Sequence, residues 1–489
     1  MTMAVTWSGR WVADALTVSL RTLDTPIGVD LDALVGLALR RNPRRAHLLV
    51  STVLGKHVPA DPDLVYGSGR LLGVLVAAVL HGIPRPCDLT GGGLVTRALA
   101  GEQGAARALV AHVDARRDAT AAAGRHLPPG TVVLGYAETA TAVGQAVADS
   151  LEVDYLHSTR RRVADLDPLC VFEEEHSHAT SHLLLPEDRE MFAGTGPLVL
   201  VDDELSTGTT VLNTLAALHV DTPRTHYVIA ALVDLRSGSD RERMARFAER
   251  LGVRLDVVSL AAGEIDLPDE FLTRALQLVD IVATASGPAL ADRVGAAPEE
   301  PATEPPRVVH LEDAWPVGLR EGGRHGFTPA DRAGLEVAVE AVAASLALPC
   351  ARDIRVHVLG FEELMYAPLR LAQALGRHLG DSARVTFSTT TRSPTLPVDE
   401  VTYAIRTRLE FPSHDDPLDG PGTRYAYNVT APPTDPAAAF DTVVLVVDSV
   451  GARPELHAPG GLLDVLSGAA RQVVLVVVPA RSPFLVAAP

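Results

Sequence analysis

The feature that most constrains the fold of this chain is an alternation of short apolar segments with helical patterns, which begins at Thr131. The apolar segments are separated by stretches with helical periodicity, and they lie at 131–134, 153–156, 198–201, 227–233 and 254–260. Such alternation is typical of a parallel sheet whose two faces are both covered by helices. We therefore predict an α/β domain with a doubly wound parallel sheet and a core at about 130–290.

A second folding unit follows a segment that cannot bury a core. Residues 295–307 are rich in Pro, Ala and Glu, which is typical of an extended linker. Further strand candidates follow, and they lie at 354–359, 384–388, 442–447 and 472–478. We predict three parts for the 489 residues, namely an N-terminal domain over 1–294, the linker, and a C-terminal α/β domain over 308–489.

The stretch before residue 130 mixes helical patterns with one expected strand–turn–helix. Residues 64–66 are the expected strand, 67–69 the glycine-containing turn, and 71–80 the helix. We expect this stretch to be an N-terminal extension that precedes the core of the first domain.

Composition narrows the classes of partner. The formal net charge of -18 disfavours a surface that follows nucleic-acid phosphates. Cys87, Cys170 and Cys350 are far apart and form no Cys-x-x-Cys pair of the kind used for zinc or redox chemistry. No charge-free run is long enough to cross a bilayer, and the N-terminus lacks a basic-then-apolar leader. We expect a cytoplasmic protein that binds small molecules, with neither nucleic acid nor membrane as partner.

Two acids and a loop of small residues follow the apolar strand at 198–201. The acids emerge at the carboxyl end of the strand, where open α/β sheets bind ligands, and can accept hydrogen bonds from ribose hydroxyls. The loop opens a helix whose amides and dipole can hold a phosphate, and its glycine allows close approach. An ordinary strand–loop–helix corner is the alternative. The pattern predicts a ribose 5-phosphate site formed by Asp202, Asp203, Ser206, Thr207, Gly208, Thr209 and Thr210.

This arrangement resembles the signature of type I phosphoribosyltransferases, in which paired acids hold the ribose and a Thr-Gly-Thr-Thr loop holds its 5-phosphate. Glu204 departs from that signature, because an apolar residue is usual there. The resemblance implies that the substrate is 5-phosphoribosyl-1-pyrophosphate (PRPP) and that Mg²⁺ bridges its oxygens, with Glu138 or Asp202 as candidate protein contacts. It also implies a pyrophosphate loop after the preceding strand, formed here by Gly135, Tyr136, Ala137, Glu138 and Thr139. A helix N-cap at Thr139 is the alternative interpretation of that loop.

Three further sequence features lie at positions that are compatible with the resemblance to type I phosphoribosyltransferases. Arg160 lies in a run of three arginines that could neutralise pyrophosphate or form a solvated turn. Lys56 is the single lysine of the chain, so it is a candidate for a tight phosphate contact, or equally a coding accident. Segment 172–182 resembles in position the mobile loop that covers the site, and its spacing matches no common zinc site. The candidate residues of this mobile loop are Glu174, His176 and His178.

Several separated motifs narrow the resemblance. Segments 42–46, 55–59 and 135–141, together with the acidic loop, look like the phosphoribosyltransferases encoded in tellurium-resistance-type stress operons. Members of that family carry a C-terminal domain named TRSP after a Thr-Arg-Ser-Pro motif, which stands here at 391–394. The resemblance implies a nucleoside-like metabolite made together with pathway enzymes of the same operon, and it leaves the acceptor base open.

The two predicted sheets carry similar motifs in the same order. Four pairs of segments correspond, namely 133–138 with 358–363, 157–160 with 389–392, 172–178 with 411–414, and 198–202 with 444–448. We hypothesise that the C-terminal domain is a degenerate phosphoribosyltransferase-like repeat, with convergent corners of an unrelated α/β domain as the alternative. The hypothesis requires that the strands ending at 359, 388 and 447 be neighbours in one parallel sheet. It further predicts a single cleft lined by Glu363, Arg392, Ser393 and His414.

The sequence thus predicts that a nitrogenous base-like acceptor displaces pyrophosphate from C1 of PRPP. Asp202 and Asp203 would hold the sugar ring, and Asp203 could also accept a proton. A non-catalytic regulator that binds PRPP and an orotate or purine salvage transferase are the alternatives. The acidic surface offers little to operator DNA, and the large extra domain disfavours a housekeeping enzyme. A homodimer is compatible with the sequence.

Overall fold

The computed structural model describes residues 9–42, 46–161, 163, 166–173, 181–291, 306–311, 315–346, 348, 353–415 and 422–480. The elements before the predicted core are α1 (Arg10–Leu16), β1 (Ser19–Asp24), α2 (Leu31–Leu34), β2 (Val35–Leu39), β3 (His47–Ser51), α3 (Pro62–Leu80), α4 (Leu89–Leu99) and α5 (Ala105–Ala122). The core of the N-terminal half contains β4 (Val132–Gly135), α6 (Thr141–Leu151), β5 (Asp154–His157), β6 (Cys170–Glu173), β7 (Ser181–Leu184), β8 (Leu198–Leu205), α7 (Thr209–Asp221), β9 (His226–Asp234), α8 (Gly238–Leu251), β10 (Arg254–Asp266) and α9 (Phe271–Ala291). The C-terminal half contains β11 (Arg307–His310), α10 (Pro329–Ser345), β12 (Ile354–Gly360), α11 (Tyr366–Leu379), β13 (Ala383–Thr389), β14 (Arg408–Pro412), β15 (Thr423–Tyr427), β16 (Phe440–Asp448), α12 (Pro454–His457), α13 (Leu462–Ser467) and β17 (Ala470–Val478).

The first sheet has its strands in the order β1-β10-β9-β8-β4-β5. Neighbours from β10 to β5 are parallel, and β1 joins the edge of β10 in antiparallel orientation. Successive residues of β8 face opposite sides, so that Leu200 packs with Leu215 of α7, and Val199 packs in another cluster with Val143 of α6. The predicted α/β fold with a parallel sheet is therefore confirmed, and helices cover both of its faces.

Helix α3 replaces the strand–turn–helix expected from the sequence. Asp61 caps the helix by accepting hydrogen bonds from backbone amides, and the helix continues unbroken through its glycines. A Cβ at Gly69 would lie 2.8 Å from the Cβ of Ala146 in α6, so this glycine permits close helix packing instead of a turn. Among the described residues α3 is also the one helix long and apolar enough to cross a bilayer. Because 72% of that apolar window is buried inside the protein, it has the character of a core helix.

The second sheet is parallel throughout, in the order β11-β17-β16-β12-β13. Its strands β17-β16-β12-β13 repeat the order β9-β8-β4-β5 of the first sheet, and β12, β13 and β16 are neighbours, as the repeat hypothesis requires. The hairpins β6–β7 and β14–β15 lie at the same place in the two chain paths. β11 begins at Arg307 and pairs with β17, so this residue belongs to the second sheet and not to the linker. Residues 295–305 of the predicted linker lie outside the described residues.

Backbone contacts at the strand ends also recur in the two halves. Each half has an amide bonded to the glycine that ends the strand next to its edge strand (β4 or β12), a hydroxyl that accepts from the loop after that strand, and a bridge to the hairpin. In the first half these contacts are Ser158 N to Gly135 O, Ala137 N to Ser158 Oγ, and the Thr159–Leu183 bridge. In the second half they are, in the same order, Thr390 N to Gly360 O, Glu362 N to Thr390 Oγ1, and the Thr391–Tyr425 bridge. The correspondence predicted for these segments therefore holds residue by residue.

The strand register shifts one predicted correspondence by a residue. Equivalent cross-strand pairs of the two sheets are Leu134 with Leu200 and Leu359 with Leu445. Counting onwards, Asp203 in β8 corresponds to Asp448 in β16, whereas the sequence comparison matched Asp202 to Asp448. After β8 the chain enters α7, but after β16 it turns back, with Gly451 N donating to Asp448 Oδ1 at 2.7 Å. No equivalent of the loop 206–210 follows β16, where residues 449–480 are all described.

Buried polar contacts join the two halves. Tyr66 of α3 donates to Asp149 of α6 at 2.9 Å, and Tyr366 of α11 donates to the same carboxylate. The guanidinium of Arg370, also in α11, lies 4.2 Å from the centroid of the Tyr66 ring. The C-terminal half therefore packs directly on the helices that support the first sheet.

Candidate active site

Strand β8 carries the acidic pair beyond the end of its neighbour β4. Val201 lies opposite Gly135, the last residue of β4, and Tyr136 donates its amide to the Val201 carbonyl at 3.2 Å. Asp202 and Asp203 follow at once and are partly exposed, with Asp203 N donating to Asp202 Oδ1 at 2.9 Å. The acids lie within β8, which continues past its predicted end. They therefore stand at the carboxyl edge of the sheet, directly beside the loop that follows β4.

The predicted phosphate loop ends in the N-terminus of α7. Gly208 has φ 76°, a conformation that favours glycine, and a Cβ there would lie 2.7 Å from the flexible end of the Met244 side chain. Thr209 N donates to Thr207 Oγ1 at 3.3 Å. Arg243 of α8 donates to the Thr207 carbonyl at 2.7 Å and to Thr209 Oγ1 at 3.2 Å. The first amides of a long helix and one guanidinium thus meet at this loop, whose partly exposed members are Ser206, Thr207, Thr209 and Thr210.

The loop 136–139 connects β4 to α6 at the place predicted for pyrophosphate. The N-cap of α6 is Ala140, which makes no side-chain hydrogen bond. The alternative interpretation, a helix N-cap at Thr139, is therefore wrong. Burial, with Asp202 as a further cause, raises the pKa of the Tyr136 phenol.

Glu138 is held between two guanidinium groups. Its carboxylate contacts Arg392 Nε of the C-terminal half and lies 3.7 Å from Arg160 Nη1. The Glu138 side chain is only 9% exposed. The sequence offered this carboxylate as a magnesium contact, but in the structure its immediate partners are cations from both halves.

Arg160 reaches the pyrophosphate loop and is oriented by His182. Arg160 Nε donates to His182 Nε2 at 3.3 Å, and His182 Nδ1 lies 3.0 Å from Ser158 Oγ. Phe172 stacks on the imidazole with ring centroids 5.1 Å apart. Because Nε2 accepts a hydrogen bond, we assign the proton of the neutral ring to Nδ1, which donates to Ser158. The sequence placed His182 at the end of a mobile loop, whereas it is buried in β7 and positions an arginine.

Arg161 points away from the loop and into the C-terminal half. Its Nε donates to Asp415 Oδ2 at 3.0 Å, and its Nη1 donates to Asp448 Oδ2 at 2.7 Å. Burial alone would lower the pKa of Arg161, but the two carboxylates outweigh burial and raise it, so the guanidinium stays charged. Of the run of arginines, Arg160 thus contacts the pyrophosphate loop of the first half, and Arg161 contacts the second half. Other members of the predicted pyrophosphate cluster and mobile loop lie outside the described residues, namely Arg162, Glu174, His176 and His178.

Lys56 lies at the boundary with the C-terminal half. A Cβ on its neighbour Gly55 would come within 2.7 Å of the Phe387 ring in β13. Its other neighbour, His57, accepts a hydrogen bond from Asn428 Nδ2 at 2.9 Å through its carbonyl. Burial, with Lys56 as a second cause, lowers the pKa of His57. A contact between Lys56 and the phosphates of PRPP stays a prediction.

Two of the four C-terminal candidates, Glu363 and His414, are buried, so they do not line an open cleft as predicted. Glu363 accepts from Thr159 Oγ1 of the first half at 2.8 Å and from Arg324 Nε of its own half at 2.6 Å. His414 is covered by the turn after β16, with Nδ1 at 2.6 Å from the Gly451 carbonyl. They are connected through buried polar groups, because Arg324 donates to both Glu363 and Asp448, and the turn after Asp448 covers His414.

The other two candidates lie nearer the pyrophosphate loop. Arg392 donates to Glu362 Oε2 from Nη2 at 2.7 Å and from Nε at 3.0 Å, besides contacting Glu138. Ser393 accepts a hydrogen bond from the Tyr427 hydroxyl at 2.5 Å through its carbonyl. The TRSP motif therefore presents its arginine to the first half, while its serine is bound through the backbone.

The neighbouring acids Glu362 and Glu363 have opposite pKa shifts. Burial and the nearby Glu138 raise the pKa of Glu362 to about 7. Burial acts in the same direction on Glu363, but Arg324 and Arg161 outweigh it and hold the pKa below its ordinary value. Sequence reasoning singled out Glu363 and missed Glu362, since the partners of both come from distant segments.

We next considered where the described residues could hold a metal ion or an acceptor base. They contain no group of three or more His, Cys, Asp or Glu side chains arranged to hold a metal ion. A cavity of about 10 Å³ between the halves, lined by Gln145, Arg324 and Tyr366 among others, has room for about one water and not for a base. The carboxylate of Asp202, which is partly exposed at this edge, is an oxygen ligand of the kind that Mg²⁺ takes.

Comparisons with known proteins classify each half. Residues 34–264 match the model of a family described as phosphoribosyl transferase, PRTase_2. Residues 321–466 match a family described as the TRSP domain, C terminus to PRTase_2. No protein of curated function matches the chain.

Solved structures similar to this chain include several adenine phosphoribosyltransferases. One from Trypanosoma brucei, in complex with AMP, pyrophosphate and ribose-5-phosphate, has 17% identity, covers 34% of this chain and 68% of its own, and has a TM-score of 0.24. One from Giardia lamblia, complexed with 9-deazaadenine, has 20% identity, covers 37% of this chain and 95% of its own, and has a TM-score of 0.23. One from Leishmania donovani has 17% identity, covers 32% and 67%, and has a TM-score of 0.23. Likenesses at these TM-scores carry no argument about substrate.

The first family match includes the acidic pair, the phosphate loop and the pyrophosphate loop, and the second includes the TRSP motif. Both α/β units of the structure are therefore represented by a family match. Residues 34–264 thus carry a phosphoribosyltransferase domain, and residues 321–466 carry a TRSP domain.

Proposed function

We propose that the N-terminal half transfers ribose 5-phosphate from PRPP to a nitrogenous base-like acceptor and releases pyrophosphate. One observation carries this proposal, namely that three elements meet at the carboxyl edge of one parallel sheet. These are the acidic pair, the N-terminus of α7 and the loop 136–139. Their chemistry fits the ribose hydroxyls, the 5-phosphate and the pyrophosphate of PRPP in turn.

Each element has one task in the proposed reaction. Asp202 and Asp203 accept hydrogen bonds from the ribose and stabilise positive charge that develops on the sugar ring. The amides at the start of α7 bind the 5-phosphate, because the helix dipole favours an anion there. The amides of loop 136–139 and the guanidinium of Arg160 receive the leaving pyrophosphate. Asp203 takes a proton from a neutral acceptor, whereas an anionic acceptor needs no base.

Mg²⁺ enters this proposal as an ion carried by the substrate. When bound, it neutralises charge on the pyrophosphate and so makes that group easier to displace. The chain contributes single carboxylates at this edge, of which Asp202 is partly exposed. Chelation of Mg²⁺ is therefore expected to stop turnover while leaving the fold intact.

The biological setting is proposed from the family resemblance of the sequence. We infer that the product is a nucleoside-like metabolite of a stress-response pathway in the cytoplasm, made together with enzymes of the same operon. The TRSP domain distinguishes the chain from a minimal salvage transferase, so adenine, orotate and hypoxanthine serve as comparison acceptors.

The direct test is magnesium-dependent release of pyrophosphate from PRPP in the presence of single bases and of cell extracts. We expect release with at least one acceptor, and no release from the double variant Asp202→Asn, Asp203→Asn. The matched control is Asp256→Asn in β10, because its carboxylate pairs with Arg254 on the same sheet, away from the loops. Tight PRPP binding without turnover would favour a regulator instead, and absence of PRPP binding would contradict the assignment.

A further inference from the structure

The pyrophosphate loop of the N-terminal half touches the TRSP motif of the C-terminal half. Arg392, the second residue of the motif, contacts Glu138 through Nε, and Arg160 approaches the same carboxylate to 3.7 Å. The side chains of Glu138, Arg160 and Arg392 are only 9%, 13% and 14% exposed, so water screens their charges little. Two guanidinium groups around one carboxylate define a position that favours an anionic group.

Other partners also hold the two guanidinium groups in place. Arg392 donates twice to Glu362, at 2.7 and 3.0 Å, and Glu362 is in turn bonded to Arg424. Arg160 is oriented by His182 in the same way. Neither arginine therefore depends on Glu138 alone for its position. Groups that are already positioned bind a ligand at a lower entropic cost.

The contact follows from the repeat relationship of the two halves. Arg160 and Arg392 each come directly after a corresponding edge strand, and Glu138 and Glu363 lie in corresponding loops. Glu138 contacts Arg392 of the second half, and Glu363 accepts from Thr159, next to Arg160, of the first half. The loop of each half thus meets the edge-strand corner of the other, as in an isologous dimer.

We propose that Arg392 is a pyrophosphate-binding residue of the N-terminal site, supplied by the C-terminal half. The pyrophosphate of PRPP takes the place of the Glu138 carboxylate between Arg392 and Arg160. The TRSP motif then takes part directly in binding the leaving group, although it belongs to the other half of the chain. This inference rests on the proposed function, since it concerns the leaving group of that reaction.

The test is calorimetric titration of the full-length protein with inorganic pyrophosphate and, separately, with ribose 5-phosphate. We expect Arg392→Gln to weaken pyrophosphate binding about 10- to 100-fold, as loss of a charge-assisted fork does, and to change ribose 5-phosphate binding less than about 2-fold. Arg406→Gln is the matched control, because Arg406 lies in the same half and pairs with Asp399 at its edge. Binding of both anions should be unchanged in this control.

A second variant separates direct binding from support of the loop. If Arg392 binds pyrophosphate itself, Glu138→Gln removes a competing charge and raises pyrophosphate affinity. Equal losses in Glu138→Gln and Arg392→Gln would mean that the arginine only supports the loop, and would overturn the proposal. Unchanged pyrophosphate affinity in Arg392→Gln would overturn it as well.

A variant that fails to fold, and a failure of the proposed function itself, must be distinguished from a failure of this inference. If Arg392→Gln does not fold, Arg392→Lys gives the same test, with a smaller expected loss because an ammonium keeps the charge without the fork. If the unmodified protein binds neither anion, the proposed function fails and this inference fails with it. If it binds both and all variants bind like it, only the inference fails.

Discussion

The carboxyl ends of β8 and β16 occupy equivalent places in the two sheets, but their acids have opposite surroundings. Asp203 is partly exposed beside the phosphate loop. Asp448 is buried, and its Oδ2 accepts hydrogen bonds from Arg161 at 2.7 Å and from Arg324 at 3.2 Å. A carboxylate neutralised by two guanidinium groups has little capacity left for ribose hydroxyls. The same backbone arrangement therefore offers a ligand site in one half and an interface in the other.

The arginines after the two edge strands account for the different surroundings of these two acids. Arg161 of the first half enters the corner of the second and pairs with Asp415 and Asp448. Arg392 of the second half reaches the loop of the first and pairs with Glu138. Each half thus gives an arginine to the other. In the second half, however, that arginine binds Asp448, the acid equivalent to Asp203. As a result, Asp448 of the second half is occupied by Arg161, whereas Asp203 of the first half stays partly exposed.

The largest expected difference is between asparagine substitutions at the two equivalent acids. Asp203→Asn should lower turnover about 10²- to 10³-fold with little change in melting temperature, because it removes a group that acts on the substrate. Asp448→Asn should instead cost about 3–5 kcal/mol of unfolding free energy, because two buried arginines lose their shared partner. Turnover assays and chemical denaturation of both variants check this. Similar behaviour of the two variants would break the comparison.

Glutamine substitutions at the neighbouring acids Glu362 and Glu363 should change the pH dependence of stability in opposite directions. The pKa of Glu362 is raised to about 7 from 4.5, so its contribution is present below pH 4.5 and is lost as the pH rises through 7. The pKa of Glu363 is lowered, so its contribution is present above 4.5 and is lost as the pH falls. Glu362→Gln should therefore gain stability relative to the unmodified protein between about pH 5 and 8, by at most about 3 kcal/mol.

Denaturant midpoints measured from pH 3 to pH 8 on both glutamine variants check the sign of each shift. Relative to the unmodified protein, Glu363→Gln should gain stability only towards acid. A shared sign for the two variants would show that the arginines around these acids are not arranged as described.

The smallest expected difference concerns the glycines of the two corners. Gly208→Ala forces a positive φ of 76° on alanine and places its Cβ 2.7 Å from Met244 Cε. It should cost about 1–3 kcal/mol and weaken ribose 5-phosphate binding, because alanine is strained at this φ within the proposed phosphate loop. Gly451→Ala meets Asp448 Oδ1 at 3.1 Å without positive φ, so we expect less than about 1 kcal/mol. Melting curves and titration with ribose 5-phosphate on both variants test this ordering.

Local sequence patterns predicted the sheet and the ligand loops well, since the residues concerned are contiguous. Asp202, Asp203 and the loop to Thr210 form one unbroken segment, so their order already describes a strand end and a helix start. The same holds for the alternation of apolar strands and helices. Glycines in α3 misled the local interpretation, because Gly69 serves close contact with another helix, which no local pattern can distinguish from a turn.

Contacts between distant segments could not be predicted. His182 orients Arg160, and Arg243 approaches the phosphate loop from the next helix, but neither position has a motif of its own. Arg392 was expected in a cleft of the C-terminal half, and its partner proved to be Glu138, more than 250 residues away in sequence. Charge pairing across a domain interface depends on how the halves dock, which the sequence pattern of either half does not contain.

The number of ribose 5-phosphate sites per chain tests the central claim most directly. Equilibrium titration of the full-length protein should give one site, because the acid of the second corner is occupied by Arg161 and Arg324. That site should disappear in Asp203→Asn. Two sites per chain, or one site that survives Asp203→Asn, would contradict the assignment of the chemistry to the N-terminal half.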